Sequence, residues 1–371
     1  METKQTLDQI IKELEEDNAK KQNFNLFRYM FNWHNERYLH SSFICMMISM
    51  NKDYLHFLLE EIFERSGSKN REYKKFFENG DCKIYPNKDD HSEKHNIDIL
   101  IMSPDKTKAI IIENKTLAED RLINGKHQLI SYGKALKEDT TQCKTIYYVY
   151  ITPRKYDPKN IEEFKGKILI TVAYDNHIKS WIQKCFEKET DCFKKEVMRQ
   201  YKEMLDISLN DVDRTIKLKE IIGKNLQEFE DLRKTSDNKN VLDEEMKNVR
   251  WHIIYDFFQI LFKKIEDKKE NLKLTVDHRE FQKSIDKVSQ GIRAKLVFNF
   301  TYKEHSLYIC NDMKGFTVGE CCNNRGYEPL NDMIISQLDE KNMLELTNKE
   351  KTEKVVNELI QGLDTYLCKF K

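Results

Sequence analysis

The run Ala109-Ile110-Ile111-Ile112-Glu113-Asn114-Lys115 constrains this chain more than any other stretch of it. Side chains alternate faces along a strand, so Ile110 and Ile112 point one way while Ile111, Glu113 and Lys115 point the other. Both faces are apolar until the last residues, so the strand must be covered on both sides. Its end then carries a carboxylate and an ammonium into that covered place. Burying such charges costs several kcal/mol unless they are paired or bound to a cation. The preceding stretch, read as a strand over Asn96–Met102, repeats the anomaly: Asp98 sits among Ile97, Ile99, Leu100 and Ile101. A short turn, Ser103–Thr107, joins the two strands, a length that predicts an antiparallel hairpin with Asp98 beside Glu113.

The elements around this hairpin predict a mixed α/β sandwich. Before it come an amphipathic helix over 4–20 (Leu7, Ile10, Ile11, Leu14), a second helical segment around Phe24–Trp33, and apolar helices near Phe43–Ile48 and Tyr54–Arg65. Cys82–Pro86 reads as a first strand. After the hairpin a helix is expected over about Lys126–Lys137. Thr145–Thr152 follows as a strand apolar on both faces, and Lys167–Ala173 as another buried strand. Helices fill 177–237, and a long helix covers Val241–Lys268. Strand-like runs then occupy Leu272–Val276, Ile292–Tyr302, His305–Cys310 and Gly315–Cys321, and an amphipathic helix takes Lys349–Phe370.

The 371 residues carry 63 basic and 63 acidic side chains, so no global field draws the chain to nucleic acid and any such binding must be local. Nine cysteines, an odd number with no Cys-x-x-Cys pair, are expected to be reduced thiols, and the adjacent Cys321-Cys322 is unsuited to chelating zinc. The histidines, His91 and His95 included, show no ligand spacing. No apolar leader or 18-residue apolar run is present, which predicts a cytoplasmic protein with no membrane contact.

Two adjacent carboxylates repel unless a cation lies between them, and oxygen donors favour a hard ion such as Mg²⁺ or Mn²⁺. Asp98, Glu113 and the Asn114 carbonyl would hold that ion, with Lys115 positioning its bound water or neutralising charge on a phosphoryl group. The same residues could also form no more than a salt-bridged strand end, Glu113 with Lys115. Gln128 and Tyr132 lie four apart on the following helix and so share a face. Upstream, Glu36 and His40-Ser41 open an apolar helix, where Glu36 and His40 have the spacing of an i,i+4 ion pair.

Asp98, a hairpin, then Glu113-Asn114-Lys115 after an apolar run resemble the PD-(D/E)XK nuclease superfamily, with Ile97 in the place of the proline. Gln128 and Tyr132 match the Gln-x-x-x-Tyr motif of the branch similar to phage exonuclease and RecB-type nucleases. Glu36-x-x-x-His40-Ser41, the Asn23-Phe24-Asn25 segment and a strand ending in Thr152-Pro153 are similar to one bacterial subfamily. The likeness runs in order over roughly 20–210. It implies a restriction-endonuclease-like mixed sheet flanked by helices, with a C-terminal α+β extension.

The domains expected on this basis are an N-terminal helical segment (1–34), the nuclease core (35–210), a helical connector (211–240) and an α+β unit (241–371). The resemblance further implies Glu36 in the metal shell, and Gln128 and Tyr132 orienting the site and touching the DNA backbone. It also implies a metal-dependent nuclease acting in defence or repair. Lys126, Lys134 and Lys137 on the helix, and Lys69, Arg71, Lys74 and Lys75 in the early loop, are candidates for phosphate contact. The alternative is a nucleic-acid-binding or partner-dependent protein of the same fold with little activity alone. The C-terminal unit is the expected surface for a protein partner or self-association.

Overall fold

A computed structural model describes residues 2–371 apart from 22, 32, 34, 66, 68–72, 78–80, 87–96, 117–121, 124–125, 159–160, 225, 237–238, 273, 277–296, 303–304, 313–314, 322–326, 337–343 and 368–371. The chain divides into two compact units. One is Phe24–Asn210. The other joins Met1–Asn23 to Asp211–Lys371.

In chain order, α1 (Glu2–Lys21) is followed by α2 (Leu26–Met30), a π-helical turn Glu36–Ser41, α3 (Ser42–Met50) and α4 (Lys52–Glu60), then α5 (Lys74–Phe77). Three strands come next: β1 (Lys83–Tyr85), β2 (Ile99–Met102) and β3 (Lys108–Asn114). A small pair, β4 (Leu122–Ile123) and β5 (Lys126–His127), leads into α6 (Gln128–Asp139). Then come β6 (Thr145–Thr152), β7 (Ile168–Ala173), α7 (Lys179–Lys188) and α8 (Cys192–Lys224).

The sheet of the Phe24–Asn210 unit has the order β1-β2-β3-β6-β7. Its first three strands are antiparallel, and β3, β6 and β7 run parallel. The hairpin expected from the short turn is present, with Ile99 opposite Ile112. Alternation sorts β3 as predicted. Ile110 and Ile112 join a core with Phe43, Ile44 and Leu58 of α3 and α4, Trp181 of α7 and Tyr201 of α8. Ala109 and Ile111 join Leu129, Tyr132 and Leu136 of α6 on the other face. Covering both faces is what lets these strands be apolar on each side. The mixed sheet flanked by helices is therefore the restriction-endonuclease-like architecture.

Several boundaries differ from the sequence reading. Asp98 lies in a bend just ahead of β2 rather than inside a strand, and Asn96 lies outside the described residues. α6 starts at Gln128 because His127 Nδ1 accepts the Leu129 N–H and caps it; Lys126 therefore stands in β5 and not on the helix. β7 is an edge strand, only partly buried.

The other unit contains α1, the end of α8, α9 (Leu226–Thr235), α10 (Lys239–Leu272) and α11 (Lys349–Leu367). It also holds an antiparallel sheet of β8 (Leu274–Val276), β9 (Val297–Tyr302), β10 (His305–Asp312), β11 (Gly315–Cys321) and β12 (Tyr327–Ser336). The stripe Leu7, Ile10, Ile11 and Leu14 packs in one core with Met246, Ile253, Phe257, Leu359 and Leu363. β12 carries Pro329, Asn331 and Asp332, which hide it from a reading by strand propensity. Among the described residues, no helix is long and apolar enough to cross a membrane.

Candidate active site

β3 delivers Glu113 at its end, buried, with Lys115 one residue beyond on the same face. The Lys115 ammonium stands 2.6 Å from Glu113 Oε1 and 3.6 Å from Glu36 Oε2. Glu36 comes from the π-helical turn Glu36–Ser41 and is drawn to the end of β3 by Thr116, whose backbone N–H donates to Glu36 Oε1 at 2.7 Å. Asp98, one step before Ile99 and so opposite Glu113 in the hairpin register, accepts the backbone N–H of Asn114 at 2.8 Å. Four charged side chains from three places in the chain thus meet at one end of the sheet.

The electrostatics of Asp98 are those of a crowded carboxylate. Burial pushes its pKa well above the ordinary value of 3.8, the Glu113 charge adds to this, and Glu36 adds a smaller push. Lys115 and the Asn114 N–H pull the other way without winning. Glu113 Oε2 is buried with no hydrogen-bond donor among the described residues.

Gln128 and Tyr132 are both buried and joined, the Gln128 amide donating to the Tyr132 hydroxyl. Tyr132 feels the same negative charge: its pKa is raised by burial first and by Glu113 next. Gln128 Oε1 is buried without a donor among the described residues. Sequence spacing put these two residues on one face of a helix, and the fold sets that face near the carboxylates.

His40 does not form the ion pair with Glu36 that its spacing allowed. In a π turn the neighbour of residue 36 is residue 41, and Ser41 Oγ donates to the Glu36 carbonyl at 3.0 Å. His40 is buried, 2.7 Å from the Tyr201 hydroxyl at Nδ1 and 2.7 Å from the Trp33 carbonyl at Nε2. Burial pushes its pKa down to about 4, so the ring is neutral. Nε2 must then donate to the carbonyl, leaving Nδ1 to accept from Tyr201.

Asn114 is fully buried, with its side-chain amide held by Ser41 at 2.7 Å and by the Tyr174 hydroxyl at 3.0 Å. The side-chain amide is thus occupied, and the expectation from the sequence concerned the backbone carbonyl. Of the proposed phosphate contacts, Lys134 is exposed on α6 with Glu138 at 3.7 Å, and Lys74 pairs with Glu64 at 2.6 Å. Lys137 is exposed. Lys69, Arg71, His91 and His95 lie outside the described residues, as do the side chains of Lys75 and Lys126. Thr116, Tyr174 and Tyr201 were not singled out from the sequence. Thr116 directly follows Lys115 and Tyr174 directly follows β7, but neither position signals its distant partner.

The donor set suits a hard divalent cation. Two carboxylates face one another, and among the described residues one of them has a buried oxygen with no donor. Among the described residues, no three His, Cys, Asp or Glu side chains converge as a ready-made metal cage. Mg²⁺ is commonly held by one or two carboxylates, with water and substrate phosphate taking the remaining positions.

A family model of the PD-(D/E)XK nuclease superfamily matches residues 24–203. That part of the chain belongs to the superfamily, whose members are nucleases that generally use divalent metal ions. Comparisons with curated proteins and with solved structures each found no match.

Proposed function

We propose that the chain is a metal-dependent nuclease that hydrolyses phosphodiester bonds in DNA, with its chemistry at Asp98, Glu113 and Lys115. The observation that carries this reading is the pairing of two carboxylates at the end of a buried hairpin. Burial, and after it the Glu113 charge, push Asp98 up, and Glu113 Oε2 is buried with no donor among the described residues. A purely structural Glu113–Lys115 salt bridge would account for neither. Asp98, Glu113 and the Asn114 carbonyl would hold Mg²⁺ or Mn²⁺, with Glu36 adding a carboxylate nearby, on the other side of Lys115. When bound, such an ion polarises a phosphoryl oxygen and lowers the pKa of a water molecule.

The protein's own groups do the rest. Lys115, between Glu113 and Glu36, is poised to neutralise charge that grows on the phosphoryl oxygens as a water oxygen bonds to phosphorus and the ester bond breaks. Tyr132 and Gln128 would orient the strand at the mouth of the site. Lys126 and Lys134 would contact flanking phosphates in a sequence-blind, salt-dependent way. His40 is an anchor of the Glu36 turn rather than a ligand.

The test is a nicking assay on supercoiled plasmid and on labelled RNA, with Mg²⁺ or Mn²⁺, for wild type, Glu113→Gln and Lys115→Ala. Cleavage of DNA by wild type, reduced at least about a hundredfold in both variants, is the expected result. Equal activity in all three would remove the catalytic assignment, and cleavage confined to RNA would remove DNA as the substrate.

A further inference from the structure

The side chain of Asn114 lies between Glu113 and Lys115 in sequence yet points to the opposite face of β3. There it is wholly buried, with its amide nitrogen and its amide oxygen both hydrogen-bonded. Its Nδ2 donates to Ser41 Oγ at 2.7 Å, and its Oδ1 accepts from the Tyr174 hydroxyl at 3.0 Å. Ser41 passes its own proton on to the Glu36 carbonyl at 3.0 Å. Each link has one donor and one acceptor: the phenol gives its proton to the amide oxygen, the amide an N–H to the serine, and the serine its proton to the carbonyl. Tyr174 opens a turn directly after β7, so the chain of bonds ties together β3, the end of β7 and the Glu36–Ser41 turn.

We infer that Tyr174, Asn114 and Ser41 are positioning residues, which hold the turn bearing Glu36 in register with the strand end bearing Glu113 and Lys115. The inference rests on the metal-dependent reading above. An apolar core would fill this space at least as favourably, since a buried polar network gains little net stability. What hydrogen bonds supply here is direction, and the π turn shows it. The spacing of five places Ser41 under the Glu36 carbonyl, where an ordinary α-turn would place His40.

The consequence concerns Lys115. With Glu36 in place the ammonium is shared, 3.6 Å from Glu36 Oε2 and 2.6 Å from Glu113 Oε1. If the Glu36 turn drifts, Lys115 is left wholly to Glu113, and that carboxylate becomes a poorer ligand for a cation. Removing the Ser41 hydroxyl is therefore expected to weaken metal binding although it deletes none of the groups that would hold the ion.

Mn²⁺ binding to the full-length protein, followed by calorimetry or by the spin-resonance signal of the free ion, tests this. Ser41→Ala is expected to weaken Mn²⁺ on the order of tenfold, the low end of what residues supporting a metal ligand contribute. Ser41→Thr keeps the hydroxyl and should stay within about twofold of wild type. Adding Ser41→Ala to Glu36→Gln should cause no further weakening, because Ser41 acts through Glu36. A merely structural serine would weaken binding equally in both backgrounds, and that result would overturn the inference; so would Mn²⁺ affinity unchanged in Ser41→Ala. Should Ser41→Ala not fold, Tyr174→Phe removes one oxygen from the other end of the series and must weaken Mn²⁺ in the same direction. Wild type that binds no Mn²⁺ would sink the metal reading itself, and the positioning role with it.

Discussion

Asp98 accepts a good hydrogen bond from Asn114, yet its pKa is raised, because burial and then Glu113 disfavour its charge more than Lys115 favours it. This has a consequence for stability in the metal-free protein. A carboxyl group whose folded pKa lies above its unfolded value keeps its proton longer in the folded state. It therefore costs nothing below about pH 4, and it destabilises the fold increasingly as pH rises from there to the raised folded value. Asp98→Asn keeps an oxygen for the Asn114 N–H and removes the ionisation. In EDTA at pH 7 the variant is expected to melt above wild type, with the difference vanishing below about pH 4. On adding Mn²⁺ only wild type should gain Tm, since only it retains the ligand. A variant that melts lower at pH 7 would mean that Asp98 serves the fold rather than the site. At this scale the acidic pair and Lys115 were legible in the sequence, because alternation and burial cost are local rules. Thr116, Tyr174 and Tyr201 were not. The partners of both tyrosines lie 60 and 161 residues away, and no local pattern encodes such a distance.

Among the elements, α6 carries two residues of the site, Gln128 and Tyr132, on a helix rather than at a strand end. Its seat on the sheet depends on Gly133, which adjoins Tyr132. A Cβ at position 133 would fall well inside contact distance of the Tyr148 ring and hydroxyl on β6. Tyr148 is buried and cannot swing away cheaply. Gly133→Ala should therefore lift α6 from β6, cost roughly 1–3 kcal/mol of stability as overpacking does, and reduce cleavage more than that loss alone explains by displacing Gln128 and Tyr132. Adding Tyr148→Phe, which removes the nearest atom, should recover part of both. No recovery would place the damage elsewhere. The order and type of elements in this unit were readable because the strands are long apolar runs and the helices periodic. Their ends were less so: a single cap at His127 moved the start of α6, and Asp98 fell in a bend ahead of its strand. The π turn at Glu36–Ser41 could not be read at all, since a π turn and an α-turn share the same side-chain pattern over so few residues.

For the molecule as a whole, two compact units with separate cores lie on one chain, and the second is assembled from both ends of it. The amphipathic stripe of α1 was plain in the sequence, but a stripe says only that a face is covered, not by what. The structure seats Leu7, Ile10, Ile11 and Leu14 against Met246, Ile253 and Phe257, more than two hundred residues on. It also buries Arg214 of α8 against Asp17 of α1 at 2.6 Å. Deleting residues 1–21 would expose the apolar partners of four large side chains, each worth roughly 1.5–3 kcal/mol. It would also strip a buried guanidinium of one of its two carboxylates, the other being Asp211. The sum is of the order of a domain's entire stability, roughly 5–15 kcal/mol. Calorimetry of wild type is expected to show two transitions, and of the truncated chain only the one belonging to Phe24–Asn210. Because Glu36, Asp98, Glu113 and Lys115 all lie in that unit, Mn²⁺ should still raise the remaining transition. Loss of the Mn²⁺ response together with the second transition would show that the metal site depends on the other unit, and would refute the independence of the two cores.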